Sequence, residues 1–392
     1  KLFAAGNNII VNDGNVIRGV HLSGAGNKVI TSTLPVSGFT FEENIISDES
    51  AQITTGILFD QMDGTINILN NQLLDAASSG QAMLDFASQG DNNFTLNVTG
   101  NTFDQVEGTQ LERAILADFG LSAGGGTQNF NIPDNVFKGI TYSVLDMSMS
   151  NDVNVNLTVQ NNLVSDTTTA TVSETMLIDF SDTTTSRIDI LDTTFNGIGY
   201  AANDQEVVYI RALGPNDTPT STVNISRNTF TGITASGFVN TNEVIHLHVT
   251  DGNPNISYDI SNNTINDHQG DAVEIQVVAA ADSSAVVTGS VHNNTINGPT
   301  GGVNDLVINN FDASTSTVCA DVYDNTFTGT QTTTPINLVE TSTGTLNLED
   351  HNNTSPANAQ EALTDNNNAG FGTVATTGTI TIAPVPQLTW RR

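Results

Sequence analysis

The sequence predicts an all-β fold, a three-sided parallel β-solenoid of about eleven to twelve coils. Three observations lead there. An eight-residue template recurs on average every 31 residues, its apolar positions alternate, and a further apolar run follows most copies. Helix is a poor competitor. Thr and Asn account for 54 and 48 of the 392 residues, and both disfavour helix interiors.

The template reads apolar, x, apolar, x, x, Asn, x, apolar. It is seen in 66-INILNNQL-73, 96-LNVTGNTF-103, 130-FNIPDNVF-137, 157-LTVQNNLV-164, 223-VNISRNTF-230, 258-YDISNNTI-265, 289-GSVHNNTI-296 and 320-ADVYDNTF-327. The earlier 39-FTFEENII-46 fits throughout, and 10-IVNDGNVI-17 fits with Asn12 in place of one apolar residue. The Asn position holds Asn15, Asn44, Asn71, Asn101, Asn135, Asn162, Asn228, Asn263, Asn294 and Asn325, with Thr193 the single replacement in 188-IDILDTTF-195. Apolar residues at a spacing of two put one face of a short strand inward. The x-x-Asn step breaks that alternation at a bend, after which the next apolar residue points inward again.

Asn suits such a bend because it tolerates the left-handed backbone region and its amide bonds neighbouring backbone. Stacked in successive coils, these amides are expected to bond one another as a ladder. The third apolar run is seen in 82-AMLDFA-87, 114-AILADF-119, 175-TMLIDF-180, 207-VVYIRA-212, 244-VIHLHV-249, 272-AVEIQV-277 and 305-DLVINN-310. Extra residues in 120-GLSAGGGTQN-129, 165-SDTTTATVSE-174 and 213-LGPNDTPTST-222 read as loops extruded from corners. Eleven stacked turns make a rod on the order of 50 Å long.

After Asn325 the pattern weakens. In 346-LNLEDHNN-353, His351 stands where Asn is expected and Asn353 where an apolar residue is expected. The segment 354–370 reads as a loop with one helical turn, and 378-GTITIAPVPQLTW-390 supplies a last alternating strand and the only Trp. The expected organisation is therefore a solenoid over 1–350 and a cap, terminal strand or linker over 351–392.

Composition narrows the function classes. The chain carries 42 acidic and 10 basic side chains, a net charge of −32, yet only 13% of its residues are charged. Too few cations are present to neutralise a run of phosphates, so nucleic acid is not an expected partner. An anionic membrane surface repels such a chain, and no apolar run reaches 18 residues. Cys319 is the only cysteine, which excludes a disulfide framework and CxxC metal or redox pairs. The chain begins at Lys1 and reads as a mature or excised segment without a signal peptide.

The N-x-[FIV] bends, as in Asn101-Thr102-Phe103, Asn228-Thr229-Phe230 and Asn325-Thr326-Phe327, resemble right-handed parallel β-helix repeat proteins of bacterial surfaces. The likeness is to the β-helical passengers of autotransporter and inverse-autotransporter adhesins, and it covers about residues 7 to 350. It implies a right-handed coil, export, and display on or release from the cell envelope. The wider fold also serves phage tailspikes, pectate lyases, polygalacturonases and alginate epimerases.

Polymer-cleaving members need converging carboxylates. The candidate here is 266-NDHQGDAVEI-275, with Asp267, His268, Asp271 and Glu274, whose GDAVEI run looks like the acidic strand of polygalacturonases. The glycine-flanked histidine and the arginine–lysine strand of that family have no counterpart in this chain. His246 and His248 share one face of their strand, a spacing that permits a metal site, but no third ligand lies nearby in sequence. Carboxylate partners across coils account for Arg187 and Arg211. Glycine-rich calcium nonapeptides and EF-hand loops are absent, so no cofactor is expected beyond weak calcium binding at acidic corners. Thr clusters at 167–169, 183–185 and 332–334 are assigned to turns, which argues against an ice-binding face.

Two functions follow. The first is a non-catalytic, exported structural or adhesive solenoid of a bacterial cell surface or extracellular fibre. It would meet a host or cell-surface glycan or protein, or associate end to end through an open coil or a donated strand such as 378-GTITI-382. The alternative is a polysaccharide lyase or hydrolase using Asp267, Asp271 and Glu274.

Overall fold

A computed structural model describes residues 2–3, 9–23, 28–32, 34–47, 53–75, 81–88, 92–105, 113–120, 124–169, 174–200, 205–214, 217–235, 242–278, 284–298, 304–311, 315–329, 335–341, 343–352, 354–371 and 373–384. These residues form a parallel three-sheet solenoid that matches the right-handed parallel β-helix. Each rung supplies a longer strand before the Asn corner, such as Phe94–Thr99, to a first sheet. A three-residue strand after it, such as Thr102–Asp104, joins a second sheet, and one such as Arg113–Phe119 joins a third. Among the described residues the three sheets hold 13, 12 and 13 strands, and the coil count differs slightly from the eleven to twelve expected. A small sheet of Thr168–Thr169, Gly199–Tyr200 and Thr234–Ala235 lies outside them.

The apolar register holds along the rod. Leu22, Ile46, Leu73, Phe103, Phe137, Val164, Phe195, Phe230, Ile265, Ile296 and Phe327 pair rung to rung as one buried column. Within it Phe103 stacks on Phe137, and Phe195 on Phe230, each at 4.8 Å between ring centroids.

The amide ladder forms beside that column, with a geometry that repeats. Asn101 donates its backbone N–H (2.8 Å) and its side-chain amide (3.1 Å) to Asn135 Oδ1, and also donates Nδ2 to Ile68 O at 2.8 Å. Asn228 does the same toward Asn263 and Ile190. The buried amide thus satisfies the backbone groups that each corner would otherwise strand. The left-handed residue is not the ladder Asn, however. It is the residue one place earlier: Glu43, Asn70, Gly100, Asp134, Asn161, Asp192, Arg227, Asn262, Asn293, Asp324 and Asn367 all have φ between 50° and 66°. Asn at the ladder is selected for its amide, and backbone freedom is required of its neighbour.

At both ends the expected register shifts. Asn15 is exposed and its Oδ1 accepts from Asn12 N–H, while Ile17 pairs with Phe41. The ladder position of that rung is Val20, whose N–H donates to Asn44 Oδ1 at 2.9 Å. At the other end Leu346 pairs with Val318, two places from the expected alignment, so the ladder position falls on Asn353, outside the described residues. The amide comes instead from Asn368, whose Oδ1 accepts from Asn325 N–H and Nδ2 at 3.1 and 3.0 Å. Between them lies a helix, Ala359–Asp365, capped by Asn358, with Ala362 and Leu363 buried on the core. Strands Val374–Thr377 and Ile380–Pro384 then extend the third and first sheets, the latter pairing with Leu346–Asp350 of the same chain. Trp390 and Thr332 to Thr334 lie outside the described residues.

Several Thr-rich stretches expected in loops are strand instead. Thr127–Pro133, Thr185–Leu191 and Thr220–Ser226 begin earlier than the apolar template implies, and their alternate hydroxyls and amides face outward on the first sheet. Of the two arginines, Arg211 reaches across one rung to Asp179 at 2.7 Å, whereas Arg187 pairs with Asp189 on its own strand.

Candidate functional site

Among the described residues, a cluster of buried ionisable groups sits on the outward side of the third sheet. Strands Val208–Ala212, Ile245–Val249 and Val273–Val278 are consecutive rungs. Alternation sends Ile245, Leu247 and Val249 inward, which turns His246 and His248 outward. Register then aligns Tyr209, His246 and Glu274 in one column and Arg211, His248 and Gln276 in the next. Two residues ahead of each strand stands an acid: Glu174, Glu206, Glu243 and Asp271 follow one another on four rungs.

The two columns meet at His246. Its Nδ1 lies 3.2 Å from Glu206 Oε1 and 3.8 Å from Glu243 Oε2, and its Nε2 lies 4.0 Å from Glu274 Oε2. Its ring lies beside those of Tyr209 and His248, 4.9 and 5.0 Å away, and the Tyr209 hydroxyl contacts His248 Nδ1 at 2.7 Å. Glu274 accepts from Asn309 Nδ2 at 2.6 Å, and Asp271 from Asn304 N–H at 2.8 Å. Glu206, Glu243, His246, Asp271 and Glu274 are all at most 9% exposed.

Burial beside like charges sets the protonation of the cluster. Burial first, then Glu206, Glu274 and Asp271, push the Glu243 carboxyl up to about 10. Burial likewise raises Asp271 and, one rung further out, Glu174 to about 7 each. His248 is driven down to about 3 by burial and by His246 and Arg211.

Of the four acid–base candidates in 266-NDHQGDAVEI-275, Asp271 and Glu274 enter this cluster. Asp267 does not. It is exposed at a corner with φ 54°, a place filled on other rungs by Asp75, Gly139, Asp166, Gly197 and Gly232. His268 is fully buried apart from the cluster, donating Nδ1–H to Gly270 O at 2.6 Å with Nε2 3.3 Å from Asp305. Contrary to the expectation that no third ligand lies nearby in sequence, His246 finds Glu243 three residues earlier on its own rung, with Glu206 and Glu274 on the rungs to either side. Glu206 and Glu243 escaped the sequence reading, although an acid immediately before the third apolar run recurs at 174, 206, 243 and 271.

No protein-family model, no curated protein and no solved structure matches this chain.

Proposed function

We propose that this chain is a non-catalytic structural and adhesive β-solenoid, exported to a bacterial cell surface or into an extracellular fibre. The observation that carries the reading is the continuous stack of rungs with rows of bonded Asn amides on its outer face. On the outer side of the first sheet, Asn97 Nδ2 donates to Asn67 Oδ1 at 2.8 Å, Asn131 to Asn97 at 2.9 Å, and Asn156 to Asn129 at 2.9 Å. Amides already bonded in rows lose little freedom when a partner docks, which favours contact with neutral hydroxyl-rich surfaces such as glycans. The net charge of −32 and the single cysteine agree with export.

The alternative, a polysaccharide lyase or hydrolase, draws support from Asp271 and Glu274 lying in one cluster with raised protonation ranges. Burial weighs against it. A general acid or base must come within hydrogen-bond reach of its substrate, and Asp271 and Glu274 are at most 9% exposed.

The test is a panel of immobilised extracellular glycans and cell surfaces probed with the wild-type chain and with Asn97→Lys. Binding without turnover, weakened by Asn97→Lys, is the expected result. Cleavage of a polyuronate or other polymer, abolished by Asp271→Asn, would establish the enzyme instead.

A further inference from the structure

We propose that Glu206, Glu243 and His246 bind one divalent transition-metal cation of the zinc–manganese class, with Glu274 accepting a hydrogen bond from the far side of the histidine ring. The site stands independently of any adhesive role.

The donor atoms are already gathered. One from each of Glu206, Glu243 and His246 lie within 4.8 Å of one another. His246 Nδ1 is 3.2 Å from Glu206 Oε1 and 3.8 Å from Glu243 Oε2. The edges of a zinc tetrahedron with bonds of 2.0–2.1 Å are about 3.3 Å, so small side-chain adjustments suffice to close it. The ligands come from two successive rungs, so the cation would staple two coils, with Glu274 on the third reached through the histidine ring.

A second observation points the same way. His246 Nε2 and Glu206 Oε2 are buried atoms without a hydrogen-bond partner, on residues only 6% and 4% exposed. Orphaned polar atoms are rare in protein interiors because each forgoes its contact with water. A cation at Nδ1 would account for both. It would take the lone pair on that nitrogen, leave the proton on Nε2, and give the Glu206 carboxylate a counter-charge. The nearest carboxylate oxygen to Nε2 is Glu274 Oε2 at 4.0 Å, a short rotamer adjustment from the carboxylate–histidine–metal arrangement that orients metal-binding imidazoles. Asn309 Nδ2 bonds the other Glu274 oxygen at 2.6 Å, leaving Oε2 as the oxygen that turns toward the ring.

The donor set selects the metal. One imidazole with two carboxylates suits zinc or manganese. Calcium prefers six to eight oxygens and magnesium keeps several of its waters, neither of which suits a buried site with a nitrogen donor. The competing account is a proton shared between Glu243 and its neighbours, with no ion involved.

The experiment uses the full chain, stripped with chelator and titrated by calorimetry and thermal unfolding with zinc, manganese, calcium and magnesium chlorides. Cobalt serves as a spectroscopic probe. Zinc or manganese should bind one equivalent and raise Tm. Glu243→Gln should fold and weaken affinity by more than about 100-fold, and Glu274→Gln by roughly 10-fold. His246→Gln, which keeps the side-chain volume, should remove the nitrogen-ligand signature from the cobalt spectrum and serves equally if Glu243→Gln fails to fold. The absence of saturable binding would overturn the proposal. So would affinity unchanged in both Glu243→Gln and His246→Gln, or an equal response to calcium and magnesium, which would mark screening of a general acidic surface.

Discussion

Asn162 and Thr193 meet at the weakest step of the amide ladder. Asn162 N–H reaches Thr193 Oγ1 at 3.4 Å, while on the next step Thr193 N–H finds Asn228 Oδ1 at 2.9 Å. Thr193 spends its hydroxyl proton on Leu191 O at 3.0 Å and has no amide to pass along the column.

Thr193→Asn should therefore stabilise the protein. The new Oδ1 would accept from both Asn162 groups, as Asn135 Oδ1 accepts from Asn101. A gain of about 1 kcal/mol is expected, the usual net value of one added hydrogen bond, read from the midpoint of urea unfolding. An unchanged or lower midpoint would mean that the rung spacing here cannot accommodate the amide.

The opposite change belongs one rung on. Asn228→Ala would leave Thr193 N–H and Ile190 O without their side-chain partner in a buried site. The expected cost is about 2–4 kcal/mol, one to two stranded polar groups. Equilibrium denaturation measures it, and a loss below 1 kcal/mol would show that the ladder contributes little.

Gly289 faces Tyr258 on the adjacent rung. A Cβ at Gly289 would lie 2.0 Å from Tyr258 O and 2.6 Å from its ring, and Tyr258 runs on past it to reach Cys319 O, 3.4 Å from its hydroxyl. Gly289→Ala should cost about 1–3 kcal/mol through overpacking. Thermal unfolding checks this, and a neutral result would place the Tyr258 ring elsewhere.

Acid groups give stability a direction with pH. Burial, ahead of neighbouring carboxylates, pushes Asp85 up to about 6 and Glu174 and Glu349 to about 7. Asp118, Asp60, Lys28 and Arg113 surround Asp85; Glu206, Arg211 and Asp179 surround Glu174; Asp321 and His351 surround Glu349. Each acid holds its proton more tightly folded than unfolded, where carboxyls titrate near pH 4. Their contribution is complete below about pH 4 and is lost as pH rises through 6 to 7. Asp192 and Glu43, held low by Arg227 and Arg18, act in the opposite sense only below that window. In chelator, the urea midpoint should fall between pH 5 and 8, and Glu174→Gln should flatten the fall. A midpoint that rises over this range contradicts the assignment.

The legible part of the sequence was whatever repeats on every rung. Phe103, Phe137, Phe230 and Phe327 could be aligned because a parallel stack places the same inward position at each turn. The ends were harder. Val20 lacks the amide that marks a rung, and Asn368 arrives only after a helix has intervened. The left-handed corner was misplaced by one residue because Gly100, Asp134, Arg227 and Glu43 share no chemistry, only a backbone angle. The site was half legible. His246, Asp271 and Glu274 attract attention as residue types, but Glu206 and Glu243 are 37 positions apart in sequence and meet only through rung stacking.

The central claim, that successive rungs stack at a constant rise on one axis, is tested most directly by distances between spin labels on the outer face of the first sheet. With Cys319→Ser as background, labels at Thr95 and Ser257 span five rungs, and labels at Thr95 and Asn347 span eight. At about 4.8 Å per rung the account expects narrow distributions near 24 and 38 Å. Broad distributions, or a separation that does not grow in proportion to the rungs between the labels, would contradict it.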